Sequence, residues 1–141
     1  MIEATREIDS ARADVWKLVS QPYHLADWWP GYSGAHPDRL GLAPNARWRI
    51  TRNRTTGFLR RPGGEGLIVI KIVDPGLELA WYDMEQKLDA GLSLRNSPDG
   101  GTTARAWVDA PLWRLIVESA RDLPKQALAR LHALCQTMDE L

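Results

Sequence analysis

The sequence lacks several features that would tie a protein to a particular compartment or partner. It contains one cysteine among 141 residues, so an internal disulfide cannot form. Lys plus Arg and Asp plus Glu both number 18, and this balance gives no reason to expect nucleic acid as a partner. No apolar run approaches the roughly 20 residues that span a bilayer. The opening, MIEATREIDSARADVW, carries acids where a secretory signal would be apolar. We therefore expect a cytoplasmic protein without a membrane span.

The signatures of common metal, nucleotide and nucleophile sites are also absent. No G-x-S-x-G, G-x-G-x-x-G or Walker-type loop occurs. The glycine-rich segment 63–66 precedes a predicted strand rather than a helix, which favours a hairpin turn over phosphate binding. A metal site needs three or four convergent ligands, and no paired spacing connects the three histidines, which are His24, His36 and His132. We expect neither a metal nor a cofactor.

What the sequence has in quantity is tryptophan. Seven tryptophans occur in 141 residues, and hydrophobic residues make up 44% of the chain. An indole buries a large area and carries one N–H that needs a partner. Such a chain is either tightly packed or lined for a flat apolar ligand. With no repeat or linker, residues 1–141 are predicted to form one domain.

The hydrophobic pattern predicts an α+β fold. A strand over residues 2–9 is followed by a helix with Ser10 as its N-cap, which ends before Pro22, and by a short helix over 23–29. About six antiparallel strands follow, over a weak extended segment at 33–42 and over 46–54, 65–74, 77–83, 86–95 and 102–110.

A helical period then runs over 113–140. Pro124 is predicted to kink or restart this helix, with Asp122 as a possible cap. Cys135 lies on its apolar face and is interpreted as a buried structural thiol. The predicted apolar stripe is the only surface that we expect to cover the sheet, and it consists of Ile116, Ala120, Leu123, Ala127, Leu131, Leu134 and Met138.

Two strands raise questions about which face is buried. In the last strand, either the small set or the polar set points inward, and the small set is preferred because a buried Arg and Asp would be costly. The small set is Ala104, Ala106, Val108 and Ala110, and the polar set is Thr103, Arg105, Trp107 and Asp109. In the strand at 46–54, Arg52 alternates in phase with Trp48 and Ile50, so an inward Arg52 would need a partner.

Seven arginines and no acid occur between positions 39 and 64, and a solvated strand face and loop is preferred to an anion-binding patch. They are Arg39, Arg47, Arg49, Arg52, Arg54, Arg60 and Arg61.

The segment REIDSARADVWKLVSQPYHLADWWPG resembles the opening of the START-like superfamily, also called SRPBCC, and especially its polyketide cyclase/dehydrase and lipid-transport branch. The resemblance continues in Gly41 with Ala46-Arg-Trp-Arg, in the hairpin IVDPGLELAW at 72–81, and in Gly100-Gly-Thr-Thr. It implies a helix-grip fold, in which a curved antiparallel sheet of about seven strands wraps around a long C-terminal helix. Two short helices follow the first strand.

The resemblance also implies three functions. The first is binding of a small hydrophobic ligand, lipid-like or aromatic and polyketide-like, in a cavity between the sheet and the C-terminal helix. The alternatives are a polyketide cyclase/dehydrase-type enzyme acting on such a ligand and a protein-binding co-chaperone-like domain. Whether the chain is an enzyme, and whether it is a monomer or a homodimer, stays open at this point.

The candidate residues for a cavity or its mouth are Trp28, Trp29, Tyr32, Trp48, Arg52, Trp81, Trp107 and His132. A cyclase would draw its polar groups from Tyr32, Arg52, Arg105, Asp109 and His132. Because adjacent helical residues point about 100° apart, one of Trp28 and Trp29 is expected to be core. The other is expected to line the mouth with Tyr32. The alternative, that both tryptophans are core, has equal weight.

Overall fold

The computed structural model describes residues 1–52, 64–111 and 118–139, with only the backbone at 118–120 and 139. Its strands are β1 (Ile2–Ile8), β2 (Tyr32–His36), β3 (Arg47–Arg52), β4 (Glu65–Asp74), β5 (Glu78–Asp83), β6 (Leu88–Asn96) and β7 (Thr102–Asp109). Its helices are α1 (Arg12–Val19), α2 (Leu25–Trp28) and α3 (Glu118–Asp139), with a 3₁₀ turn at Pro22–His24 before α2.

The seven strands form one antiparallel sheet in the order β1-β7-β6-β5-β4-β3-β2. Every strand after β1 pairs with its neighbour in sequence, and β1 joins the far edge beside β7, where Ile2 lies opposite Val108. The sheet curves, as twisted strands do, and the long helix packs on it. The predicted helix-grip fold is confirmed.

The last strand turns its small residues inward, as preferred. Ala104, Ala106 and Val108 are fully buried. Arg105 lies on the outer face, where its Nε donates to Glu3 Oε2 across the β1–β7 pair at 2.7 Å. The ion pair therefore forms at the surface, where its desolvation cost is small.

Helix α3 packs against β1, β7 and α2. Its buried positions include Ala127, Leu128, Leu131 and Cys135, so the predicted structural thiol is confirmed as buried. Met138 is 47% exposed, and its inclusion in the apolar stripe was wrong, because the last described turn, including positions 136 and 137, faces solvent. Positions 113 and 116 lie outside the described residues, and the side chain of Ala120 is not described.

Helix α3 continues through Pro124 without restarting. A proline removes one backbone hydrogen bond of the helix interior. The helix continues past this loss to its buried positions Ala127, Leu128 and Leu131. The predicted restart with an Asp122 cap was therefore wrong.

The N-terminal helices cover another part of the sheet. The N-cap of α1 is Ala11 rather than the predicted Ser10. The backbone carbonyl of Ser10 instead accepts a buried hydrogen bond from Thr102 Oγ1 at 2.7 Å, which connects the start of α1 to β7. Helix α1 contacts β6 and α2 contacts β2. The expectation that the terminal helix alone covers the sheet was therefore wrong.

A β-bulge between Tyr32 and Gly34 changes which side chains of β2 point into the interior. Tyr32 and Ala35 are three positions apart and would point to opposite faces of a regular strand. Both are nevertheless buried, because the bulge adds one residue between them. The bulge thus directs the Tyr32 side chain into the interior.

Candidate functional site

Three tryptophans meet in the interior. Trp28 and Trp29 come from the end of α2, and Trp81 comes from the middle of β5. Their ring centroids are 5.9 Å apart for Trp28 and Trp29, 6.0 Å for Trp28 and Trp81, and 4.9 Å for Trp29 and Trp81. All three pairs are nearly perpendicular, which is a favourable arrangement for aromatic quadrupoles. We call these residues the tryptophan cluster.

Both members of the Trp28-Trp29 pair are buried, with exposed fractions of 0% and 1%. Tyr32 is 3% exposed, so the expected division between a core and a mouth residue is not observed. The reason is the backbone. Helix α2 ends at Trp28, and Trp29 is extended, with φ −91° and ψ 118°. The helical offset of 100° therefore does not apply, and both indoles turn inward.

The indole N–H groups of the inner tryptophans differ in their partners. Trp48 Nε1 donates to the Gly41 carbonyl at 2.7 Å, and Trp81 Nε1 donates to the Tyr32 hydroxyl at 3.4 Å. Among the described residues, Trp28 Nε1 is the buried side-chain polar atom without a hydrogen-bond partner. The tryptophan cluster therefore contains one unused donor.

A polar cluster lies beside the tryptophans and is centred on Asp83, at the end of β5. The Asp83 carboxylate is 0% exposed. It accepts hydrogen bonds from Arg52 Nη2 at 2.6 and 2.7 Å and from the Tyr32 hydroxyl at 2.7 Å. The backbone N–H groups of Glu85 and Gln86 also donate to Asp83 Oδ1, at 3.1 and 3.0 Å. The buried charge is thus paired and hydrogen-bonded on all sides.

Arg52 connects this cluster to the surface. Its side chain is 15% exposed, and its Nε donates to Glu85 Oε2 at 3.3 Å, while Glu85 is 48% exposed. The guanidinium carbon also lies 5.6 Å from the centroid of the Tyr32 ring, within cation–π range. The inward-facing Arg52 has the partner that its position requires.

The surroundings fix the protonation states of both partners of Asp83. Burial raises the pKa of Tyr32 well above its ordinary value, and the charge and hydrogen bond of Asp83 raise it further. Burial alone would lower the pKa of Arg52, but the hydrogen bond and charge of Asp83 outweigh it and raise that pKa. Tyr32 therefore remains a neutral donor and Arg52 a cation near neutral pH.

Asp83 was not predicted as a site residue, although the alternation along β5 indicates that it faces inward. Leu79, Trp81 and Asp83 share one face of β5, and Leu79 and Trp81 are plainly inward-facing types. The same alternation that placed Arg52 inside places this carboxylate inside. An inward acid and an inward arginine on strands of one sheet could have been paired.

The structure brings five of the predicted site residues together and separates the other three. The grouped residues are Trp28, Trp29, Tyr32, Arg52 and Trp81. Trp48 is buried on the inner face of β3. Trp107 lies on the outer face instead, where a Cβ atom at Gly91 would lie 2.5 Å from its indole. Trp107 does not join the inner candidates, because it lies on the opposite face of β7 from the buried small set.

His132 is on α3, with Nδ1 at 3.4 Å from Arg6 Nη2, where the helix packs on β1. Asp109 is at the outer edge, 3.7 Å from the N-terminal amine. With Arg105 paired to Glu3, three of the five polar candidates for a cyclase lie away from the tryptophan cluster.

The other described arginines of segment 39–64 add no further group to the site. Arg39, Arg47 and Arg49 are exposed, in accord with a solvated face, while Arg54, Arg60 and Arg61 lie outside the described residues.

Within the described ranges no group of three potential metal ligands occurs. No helix in those ranges is long and apolar enough to cross a bilayer.

Comparison with known proteins places the fold. No protein-family model matches the chain, and the comparison with curated proteins gave no match. Among solved structures, protein NE0264 from Nitrosomonas europaea is similar at 17% identity and TM-score 0.74, over 99% of this chain and 96% of that one. Ara h 8.0201 is similar at 13% identity and TM-score 0.69, over 96% and 97%. These likenesses agree with the helix-grip fold.

DynU16, a protein in the dynemicin biosynthetic locus, is similar at 16% identity and TM-score 0.66. The match covers 96% of this chain and 47% of the DynU16 chain. At these identities the likeness establishes the fold alone, and function must be argued from the site.

Proposed function

We propose that the chain binds a small hydrophobic ligand, lipid-like or aromatic and polyketide-like, in the interior of the fold at the tryptophan cluster beside α2, which also contacts the C-terminal helix. The observation that carries this proposal is the tryptophan cluster in the interior of a helix-grip fold. Ligand sites are typically apolar and aromatic, with a few placed polar groups. The tryptophan cluster and the neighbouring Tyr32–Asp83–Arg52 group have this composition.

The proposed contact surface is the tryptophan cluster with Tyr32. Arg52 lies where this surface comes closest to solvent, with 15% of its side chain exposed. All the aromatic members are at most 3% exposed. A ligand can therefore enter only after a local opening, a motion that occurs in microseconds to seconds in many proteins. Capture should be slower than diffusion and saturable, with a single ligand per chain.

The binding function is favoured over the enzyme because the inner polar groups are already engaged with each other. A general acid or base must reach a proton of the substrate. The Tyr32 hydroxyl donates to Asp83, and Asp83 accepts from Arg52 and two backbone groups. These contacts suit an anchor for the interior better than a proton-transfer site.

The test is a titration with the neutral fluorescent probe N-phenyl-1-naphthylamine. We expect one-to-one binding in the micromolar range and quenching of tryptophan emission. Trp29→Phe alters the proposed contact surface and should weaken binding, while Trp107→Phe on the outer face is the matched control and should leave it unchanged.

A folded protein that binds no probe would contradict the proposal and favour the protein-binding alternative. Equal weakening by Trp29→Phe and Trp107→Phe would also contradict it, since the probe would then be reporting a general change of the fold.

A further inference from the structure

The unused indole donor of Trp28 indicates what kind of ligand the interior would take. Building on the proposed function, we infer that the ligand is a flat apolar molecule carrying a neutral oxygen acceptor, such as a ketone, and that Trp28 Nε1 donates a hydrogen bond to that oxygen. The residue is 0% exposed, and its Nε1 has no partner within the described part of the chain.

Buried polar groups are seldom left unpaired in native proteins, so such an atom calls for an explanation. Two other inner indoles that carry the same group have hydrogen-bond partners. Trp48 has the Gly41 carbonyl and Trp81 has the Tyr32 hydroxyl. The donor of Trp28 stands out against these neighbours in the same interior.

The surroundings of Trp28 select a neutral acceptor over an anion. Its ring neighbours are Trp29 and Trp81, and neither supplies a positive charge. The nearby cation, Arg52, is held by Asp83 at 2.6 Å. A carboxylate placed against Trp28 would be buried without a counter-ion, which is costly. A carbonyl oxygen needs only the one donor that the site offers.

The competing explanation lies in the tryptophan cluster itself. The Trp28 ring is at 87° to Trp29 and 83° to Trp81, and a perpendicular indole can direct its N–H at a neighbouring π face. If a neighbouring ring accepts a hydrogen bond from the Trp28 N–H on its π face, that donor is not available to a ligand. The experiment must distinguish these two partners.

The experiment compares two probes with the same ring skeleton, fluorene and 9-fluorenone, which differ in one carbonyl oxygen. For the native protein we expect about tenfold tighter binding of the ketone, the effect of one net hydrogen bond. Trp28→Phe removes the donor and keeps an aromatic ring, so it should abolish the preference while fluorene still binds. Trp107→Phe, which removes an indole from the outer face, is the control and should retain the preference.

Binding of both probes with equal affinity, or a preference that persists in Trp28→Phe, would overturn the inference and leave the proposed function standing. Failure of both probes to bind the native protein would overturn both. A second readout needs no variant: the carbonyl stretch of bound fluorenone should fall below its frequency in an apolar solvent. An unshifted stretch would overturn the inference even if Trp28→Phe does not fold.

Discussion

The two ends of the sheet are filled in opposite ways. Under α3, the inner face of β7 carries small side chains, and Ala104 and Ala106 are fully buried along with Ala127 of the helix. On β3, β4 and β5 the inner residues are large, including Trp48, Ile68, Ile70 and Trp81. We call β1, β7 and α3 the helix half, and β3, β4, β5 and α2 the aromatic half.

The two halves differ because a long helix, α3, packs on one and a short helix, α2, packs on the other. A long helix can lie close to a strand when the side chains between them are small. Helix α2 has four residues and offers little surface of its own, so two tryptophans at its end supply the bulk. The buried ion pair Arg52–Asp83 also lies in the aromatic half. Specific recognition is therefore expected there.

The largest expected effect is the loss of a tryptophan from the aromatic half. Trp29→Ala should lower the free energy of unfolding by about 3–5 kcal/mol, since it removes a buried indole and leaves a cavity. Trp28→Ala should cost a similar amount, because both indoles are buried. Denaturant unfolding checks this, with Trp107→Ala as the outer-face control. A loss under about 1 kcal/mol for Trp29→Ala would contradict the described packing.

The next effect comes from the buried ion pair. Arg52→Met should destabilise the protein by about 3 kcal/mol, because the Asp83 carboxylate stays buried without its cation. The double variant Arg52→Met with Asp83→Asn should recover much of that loss. If the double variant is no more stable than Arg52→Met alone, the cost does not come from an uncompensated charge.

A smaller effect should follow from overfilling the helix half. Ala106→Leu adds side-chain volume between β7 and α3. It should lower the free energy of unfolding by about 1–3 kcal/mol. Ala133→Leu, on an exposed position of α3, is the matched control and should be within about 0.5 kcal/mol of the native protein. If the two variants are equally stable, the space between β7 and α3 can accept a larger side chain and the expected tight packing is contradicted.

The smallest effect concerns alkaline pH and Tyr32, whose pKa in the folded protein is raised above the ordinary value of 10.0. Below pH 10 both states keep the phenol proton. Above it the unfolded chain releases the proton and the folded chain retains it, so stability falls as pH rises. The native protein should lose about 1.4 kcal/mol per pH unit more than Tyr32→Phe in this range. Parallel alkaline unfolding curves would contradict the buried Tyr32–Asp83 contact.

Alternation along a strand groups the residues of one face. It placed Arg52 with Trp48 and Ile50, and the cost of burying an Arg and an Asp then favoured the small set of β7 as the inner one. Alternation does not report which strands become neighbours or where a bulge falls. Asp83 reaches Arg52 across 31 positions and Tyr32 across 51, so this contact depends on the sheet order. The inward turn of Trp29 depends on one extended backbone residue after α2, which no periodicity reveals.

The most direct test of interior ligand capture is the set of indole N–H signals in a ¹H–¹⁵N spectrum, recorded as N-phenyl-1-naphthylamine is added. The seven tryptophans give seven reporters, which single Trp→Phe variants assign. Our account predicts that the signals of Trp28, Trp29 and Trp81 shift in a saturable one-to-one manner while that of Trp107 does not. A shift of Trp107 with the three inner signals unmoved would place the probe on the outer face and contradict the account.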